Sequence, residues 1–174
     1  MFWFWLASAV IVLFGLIVFR GAPYVPSQKR YVRQALSKLY PLGPKDTLVD
    51  VGSGDGIVLR LASDRGARAI GYELNPLLVV ISWWLSRRNK LVTTHLADFW
   101  PTPLPDGTTV VYVFAATPYL KRMVNKLQRE TDRLGRPLAV IVHGNSFVGR
   151  HPDVMLGAYN LYTFHPLQGR EAQV

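Results

Sequence analysis

The stretch Leu48-Val49-Asp50-Val51-Gly52-Ser53-Gly54-Asp55-Gly56 constrains this chain more than any other. Its first four residues read as a buried parallel strand, and the glycines at every second place that follow cannot extend it. Ile57, Val58, Leu59, Leu61 and Ala62 then open a helix. Strand, glycine loop and helix in that order bring bare backbone to a nucleotide-like ligand at the carboxyl edge of a parallel sheet. The dinucleotide fingerprint G-x-G-x-x-G keeps its last glycine for close helix–strand packing. Here the glycines fall as G-x-G-x-G and Ile57 stands in that last place.

Two acids narrow the ligand. Asp50 ends the first strand, and Glu73 closes the next apolar run, Ala69-Ile70-Gly71-Tyr72. A carboxylate at each place suits a ligand with a cationic head and a ribose but no pyrophosphate, with Asp50 near an ammonium or sulfonium and Glu73 accepting from ribose hydroxyls. S-adenosylmethionine fits that description. A third strand, Leu91 to Leu96, runs into Ala97-Asp98-Phe99-Trp100. There Asp98 is placed to accept from an adenine amine, with Phe99 or Trp100 covering the ring.

The rest of the chain follows the same alternation. Asn75 and Pro76 read as the N-cap and first position of a helix through Leu85 that is apolar nearly all round; core packing explains such a helix, and the alternative is that its surface near Trp83 or Trp84 meets a bilayer, the anchor helix or a membrane substrate. Thr109–Phe114 is an apolar fourth strand. A helix capped by Thr117, starting at Pro118 and ended by Gly135, buries Leu120, Met123, Val124, Leu127 and Leu134. Pro137–Val142 is a fifth strand, and the remainder is too short for another strand–helix unit, so it closes the sheet antiparallel with Asn160–Phe164 as its best strand. The expected fold is α/β, a doubly wound and mainly parallel sheet.

Before this domain, Phe2 to Phe19 carry no charge. As a helix they would extend roughly 27 Å against a hydrocarbon core of about 30 Å. With Trp3 and Trp5 at one end and Arg20, Lys29, Arg30 and Arg33 beyond the other, the expectation is a single transmembrane anchor over residues 1–20. The catalytic domain then lies on the cytosolic or matrix-equivalent side, and the lack of an Arg-rich transit segment before the anchor favours a prokaryotic plasma membrane over a mitochondrion. Residues 21–45 form a basic linker and helix, with Ser27 as N-cap and Val32, Ala35, Leu36 and Leu39 on its buried face. Residues 46–174 form the ligand-binding domain. A net charge of +9 implies an anionic partner, a lipid surface or nucleic acid. The absence of cysteine excludes disulfides and thiolate chemistry, and the four scattered histidines have no metal-ligand spacing, so no metal is expected.

The segments PYVPS, LVDVGSGDGIVLRLA and AIGYELNPLLV resemble the membrane-anchored lysine methyltransferases related to the Dot1 type, within the class I seven-strand S-adenosylmethionine enzymes. Mitochondrial members of that group modify the adenine nucleotide translocase and the c-subunit of ATP synthase. The resemblance implies that Asp50, Gly52, Ser53, Gly54 and Gly56 hold the methionine side, Glu73 the ribose, and Asp98 with Phe99 the adenine. It places Tyr24, Thr117, Pro118 and Tyr119 along the acceptor channel, with no general base assigned. It further implies lysine methylation of a membrane protein. Enzymes acting on nucleic-acid bases carry an Asn- or Asp-Pro-Pro-aromatic motif where this chain has Ala116-Thr117-Pro118-Tyr119. That difference argues against nucleic acid. The alternatives are a methyltransferase for a lipid or quinone-like molecule and a non-catalytic adenine-ligand or nucleic-acid binding module.

Overall fold

A computed structural model describes residues 1, 3–5, 8, 27–115 and 119–167. The elements run α1 (Lys29–Gln34, continued by a π-helical turn at Ala35–Leu39), β1 (Thr47–Val51), α2 (Ile57–Ser63), β2 (Arg68–Glu73), α3 (Pro76–Ser86) and β3 (Val92–Leu96). After these come β4 (Val110–Ala115), α4 (Leu120–Leu134), β5 (Leu138–Gly144), β6 (Val154–Leu156) and β7 (Tyr159–Phe164). The seven strands form one sheet in the order β3-β2-β1-β4-β5-β7-β6. The first five are parallel, and β7 runs antiparallel between β5 and β6. The doubly wound α/β expectation holds, including the antiparallel closure. β6, three residues long, was too short to show a period in the sequence.

Each face of the sheet has its own core. On one, Leu48, Tyr112, Ile141, Tyr159 and Leu161 pack with Val32, Ala35, Leu36 and Leu39 of α1 and with Val58, Leu59 and Leu61 of α2. On the other, Val49, Ile70, Val111, Val140 and Tyr162 pack with Phe99 and Leu104 and with Leu120, Met123 and Leu127 of α4. The alternation of neighbours such as Leu48 and Val49 between the faces is the strand's period of two. The faces are unequally covered, because β3 connects to β4 through the loop at 97–109 with no helix. That loop, pinned by α4, covers β2 where another helix could have lain.

Several boundaries differ from expectation. The N-cap of α1 is Gln28 rather than Ser27, and no side chain caps the helix. α4 starts at Leu120 behind Tyr119, again without a side-chain cap. The expected cap Thr117, with Pro118, lies outside the described residues, as does Tyr24. Asn75 and Gly135 perform as read: the Asn75 side chain accepts from the Leu77 N–H at 3.0 Å, and Gly135 ends α4 at φ +64°.

The single-pass membrane placement is corrected. Apart from Trp3–Trp5 and Ser8, the expected span at 2–19 lies outside the described residues. Among the described residues no helix is long and apolar enough to cross a membrane. α4 and α3, of 15 and 11 residues, reach only about 22 and 16 Å against about 30 Å of hydrocarbon. Neither the anchor nor the orientation and plasma-membrane assignment built on it is supported.

Candidate functional site

The glycine loop is held from below by its neighbours. The Gly52 and Ser53 N–H groups both donate to the Tyr72 carbonyl, at 2.9 and 3.2 Å, and the Gly56 N–H donates to the Ser53 carbonyl at 2.9 Å. The Gly54 N–H donates to Glu73 Oε2 at 2.8 Å, and Asp55 Oδ1 accepts from the Ile57 N–H at 3.2 Å. These donors are therefore directed into the protein, and the first N–H of α2 is already taken by an acid. A pyrophosphate needs outward N–H groups and meets carboxylates here instead. The absence of the third fingerprint glycine thus has a structural counterpart.

Gly56 answers for that glycine. It sits at φ +79° as the N-cap of α2, and a Cβ added there would lie 2.1 Å from Ser82 Oγ of α3. The close approach is helix against helix. Gly56→Ala is expected to cost about 2 kcal/mol from left-handed strain and overlap, a fall of roughly 4–8 °C in melting temperature. Adding Ser82→Ala removes the overlapping hydroxyl and should recover part of that loss in a thermal melt. No recovery would mean that the contact with α3 is not what demands a glycine.

The acids converge beside the loop. Asp50 is 3% exposed, and burial, with Glu73 and Asp55 nearby, pushes its carboxyl well above the usual carboxylate range. A buried carboxyl among like charges favours a cation as its neighbour. Glu73 is also buried. Its Oε1 accepts from the Asn75 N–H at 2.8 Å while Oε2 holds Gly54, so one side chain ties the loop to the start of α3. Each oxygen keeps a second lone pair for an outside donor.

Further along the carboxyl edge, Asp98 is exposed and its Oδ1 accepts from the Trp100 N–H at 2.9 Å. Phe99 points inward, a core residue with the Lys126 ammonium 5.6 Å from its ring. Trp100 is half-buried, its ring 6.1 Å from Tyr119 and overlain at 4.1 Å by the Arg122 guanidinium. Of the two aromatic residues following Asp98, Trp100 is the one with an accessible ring.

The sequence reading passed over a second group of rings on the opposite face of β4. The β4–β5 register pairs Phe114 with His143, and their rings are 5.4 Å apart. His143 stacks on Tyr159 at 4.5 Å with 9° between planes, and Tyr112 lies behind, 6.3 Å from Tyr159. The Tyr112 hydroxyl and His143 Nδ1 are buried without a well-formed hydrogen bond among the described residues. Burial raises the Tyr112 phenol, whose hydroxyl also faces those of Tyr159 and Ser27, and lowers His143. Burial thus favours the neutral imidazole. Asp50 and Tyr112 are partners in the β1–β4 register, so these rings stand next to the acid cluster. The signal was available: a histidine directly after Val140-Ile141-Val142 sits at the functional edge of a parallel sheet.

Among the described residues no group of histidines and acids could hold a metal ion.

Residues 49–142 match the methyltransferase-domain family. The adenine nucleotide translocase lysine N-methyltransferase of Mus musculus is 39% identical over 112 residues, 62% of this chain and 48% of that protein. The ATP synthase c-subunit lysine N-methyltransferase of Homo sapiens is 30% identical over 120 residues, 67% of this chain and 50% of that protein. The chain thus spans about half the length of these curated relatives. An RNA methyltransferase from Salinibacter ruber, solved in complex with S-adenosyl-L-homocysteine, superposes with a TM-score of 0.72 at 26% identity over 85% of this chain and 98% of that one. With a family match over more than half of its length, this chain belongs to the methyltransferase-domain family.

Proposed function

We propose that the protein transfers a methyl group from S-adenosylmethionine to a lysine side-chain amine of a protein. The observation that carries the donor half is the buried acid cluster of Asp50, Glu73 and Asp55 beside a loop whose N–H groups are engaged internally. It fits a cationic nucleoside without a pyrophosphate. In this reading Asp50 faces the methionine end, with Gly52, Ser53, Gly54 and Gly56 leaving room for it. Glu73 accepts from the ribose, Asp98 from the adenine amine, and Trp100, with Phe99 beneath it, supports the base.

When bound, the cofactor supplies an electrophilic methyl group on a sulfonium. The chain's own work is alignment and exclusion of water. A lysine acceptor must be neutral, which at pH 7 costs about 4–5 kcal/mol from a pKa near 10.4. The carboxyl end of β4 offers ring surfaces on both faces, Phe114, His143 and Tyr159 on one and Trp100 and Tyr119 on the other, which a bound lysine side chain would shield from water. Such surroundings disfavour a solvated ammonium. His143 presents a polar atom, Nδ1, that can orient the amine by hydrogen bonding. Tyr24, Thr117 and Pro118 would complete the channel. Lysine is preferred because the two curated relatives, at 30% and 39% identity, are named for lysine N-methylation.

A second reading, methylation of RNA, is favoured by the +9 charge and by the likeness to the Salinibacter ruber structure. The deciding experiment incubates the full-length protein with methyl-labelled S-adenosylmethionine and a fractionated extract of its own source. Methyl-lysine after acid hydrolysis of protein supports the proposal. Label released only by nuclease selects the second reading, and label found only in an organic extract overturns both.

A further inference from the structure

The helix α3 is built inside out. Its buried positions include Ser82 and Ser86, whereas Leu77, Val80, Trp83, Trp84 and Leu85 are exposed, Trp83 by 65%. At 100° per residue, Leu77, Val80, Trp83, Trp84 and Leu85 fall on one broad stripe, with the two serines opposite. The inner face is polar by necessity: Ser82 Oγ bonds Thr94 Oγ1 at 2.7 Å, and the approach of Gly56 leaves no room there for a larger side chain. The outer face has no such requirement, and water gives five large apolar side chains nothing in return for their exposure.

The chemistry at the end of the stripe says what covers it. Arg87 and Arg88 continue the same face, and both are exposed, as is Lys90. Arg87 folds back so that its guanidinium lies 4.7 Å above the Trp84 ring and donates to the Trp84 carbonyl at 2.7 Å. No acidic residue occurs between Glu73 and Asp98. Two indoles at the boundary between an apolar face and a cluster of cations are the arrangement of a helix lying in a lipid–water interface, where rings sit at head-group level and arginines meet phosphates. We propose that the outer face of α3 rests on an anionic phospholipid surface, with Val80, Trp83 and Trp84 inserted and Arg87, Arg88 and Lys90 on the head groups. A helix lying along the surface in this way needs no membrane-spanning segment.

The absence of cysteine permits a direct test in the full-length protein. An environment-sensitive fluorophore is attached at Val80→Cys and, as a control, at Asn125→Cys on the exposed side of α4. Each is titrated with vesicles of phosphatidylcholine alone or with about one third phosphatidylglycerol. The expected result is a blue shift and a several-fold rise in emission at position 80, only with the anionic vesicles, and none at position 125. Arg87→Glu with Arg88→Glu should weaken the anionic response at least tenfold, and half-molar salt should do the same. A label at position 80 already blue-shifted without vesicles would overturn the proposal, since another segment of this chain or a second copy then covers the face. An unchanged label, or a response indifferent to lipid charge, would overturn it equally. None of these readouts depends on methyl transfer.

Discussion

Replacing Asp50 with asparagine is expected to stabilise the ligand-free protein and, in the same molecule, to remove its affinity for S-adenosylmethionine. Asp50 is fully buried, and its carboxyl is pushed upward by that burial and by Glu73 and Asp55. Its folded pKa therefore lies above its unfolded value of about 3.9. A group shifted in that direction contributes stability that is fully present below the unfolded pKa and is lost as pH rises through the folded one. At neutral pH the ligand-free native protein bears that loss and Asp50→Asn does not. A gain on the order of 1–2 kcal/mol, roughly 2–8 °C in melting temperature, is expected to open as pH rises from about 4 and then to level off. Binding runs the other way. A cationic ligand stabilises the ionised carboxylate, so native affinity should climb with pH over the same range as binding releases a proton. Truncating one partner of a buried charge pair costs about 2–5 kcal/mol, so Asp50→Asn should bind at least about 30-fold more weakly, without that pH dependence. Calorimetric titration and thermal melts at several pH values measure both effects. An asparagine variant that is less stable at neutral pH, or that binds normally, would show that Asp50 is structural and does not face the cation.

How much of this could be read from residues alone depends on whether the determinant was local. Asn75-Pro76 and Gly135 are legible because a cap needs one side chain and one backbone position. The order of strands and helices is legible because Leu48 to Val51, Ala69 to Tyr72 and Val110 to Phe114 carry their burial in composition. What escaped depends on partners distant in sequence. Gly56 was read as part of a ligand loop, and its tightest packing constraint is Ser82, on the following helix α3. Phe99 or Trp100 was read as a cover for the adenine, and the choice between them rests on α4, which draws Phe99 into the core and leaves Trp100 at the surface. Phe114 and His143 become neighbours only once β4 has paired with β5, and Tyr159 joins them only once β7 has paired with β5. The apolar run of α3 shows the opposite failure. Its composition was read correctly, but composition is silent on which face is buried, and the small inner side chains that decide it answer to the glycine loop.

The second large effect is expected far from the acid cluster, at Glu130→Ala. Lys126 and Glu130, four residues apart on α4, are both buried, and their charged groups meet at 2.6 Å. They also fasten the loop that carries Asp98 and Trp100. Lys126 Nζ donates to the Thr102 carbonyl at 2.9 Å, and Glu130 Oε2 accepts from the Leu104 N–H at 3.1 Å and from Arg133 Nε at 3.0 Å. Arg133 donates in turn to the Leu104 carbonyl. Removing the carboxylate leaves a buried ammonium and a buried N–H without their partner, a loss of about 3–5 kcal/mol and a melting point lower by about 10 °C. Burial alone would raise the Glu130 carboxyl, but hydrogen bonds from Lys126, Leu104 and Arg133 hold it below its ordinary value. Its stabilisation is therefore present above the unfolded pKa of about 4.3 and is lost as pH falls through the folded one, so Glu130→Gln should flatten the acid limb of the native stability curve. Replacing both Lys126 and Glu130 with methionine removes the stranded charge and should recover stability beyond Glu130→Ala, though the Leu104 N–H stays unpaired. The loop is what separates this network from a purely structural ion pair. If α4 holds Asp98 and Trp100 in place through Thr102 and Leu104, the double methionine variant will regain stability yet still bind S-adenosylmethionine more weakly than the native protein. Full recovery of affinity along with stability would show that the loop keeps its position without the charges.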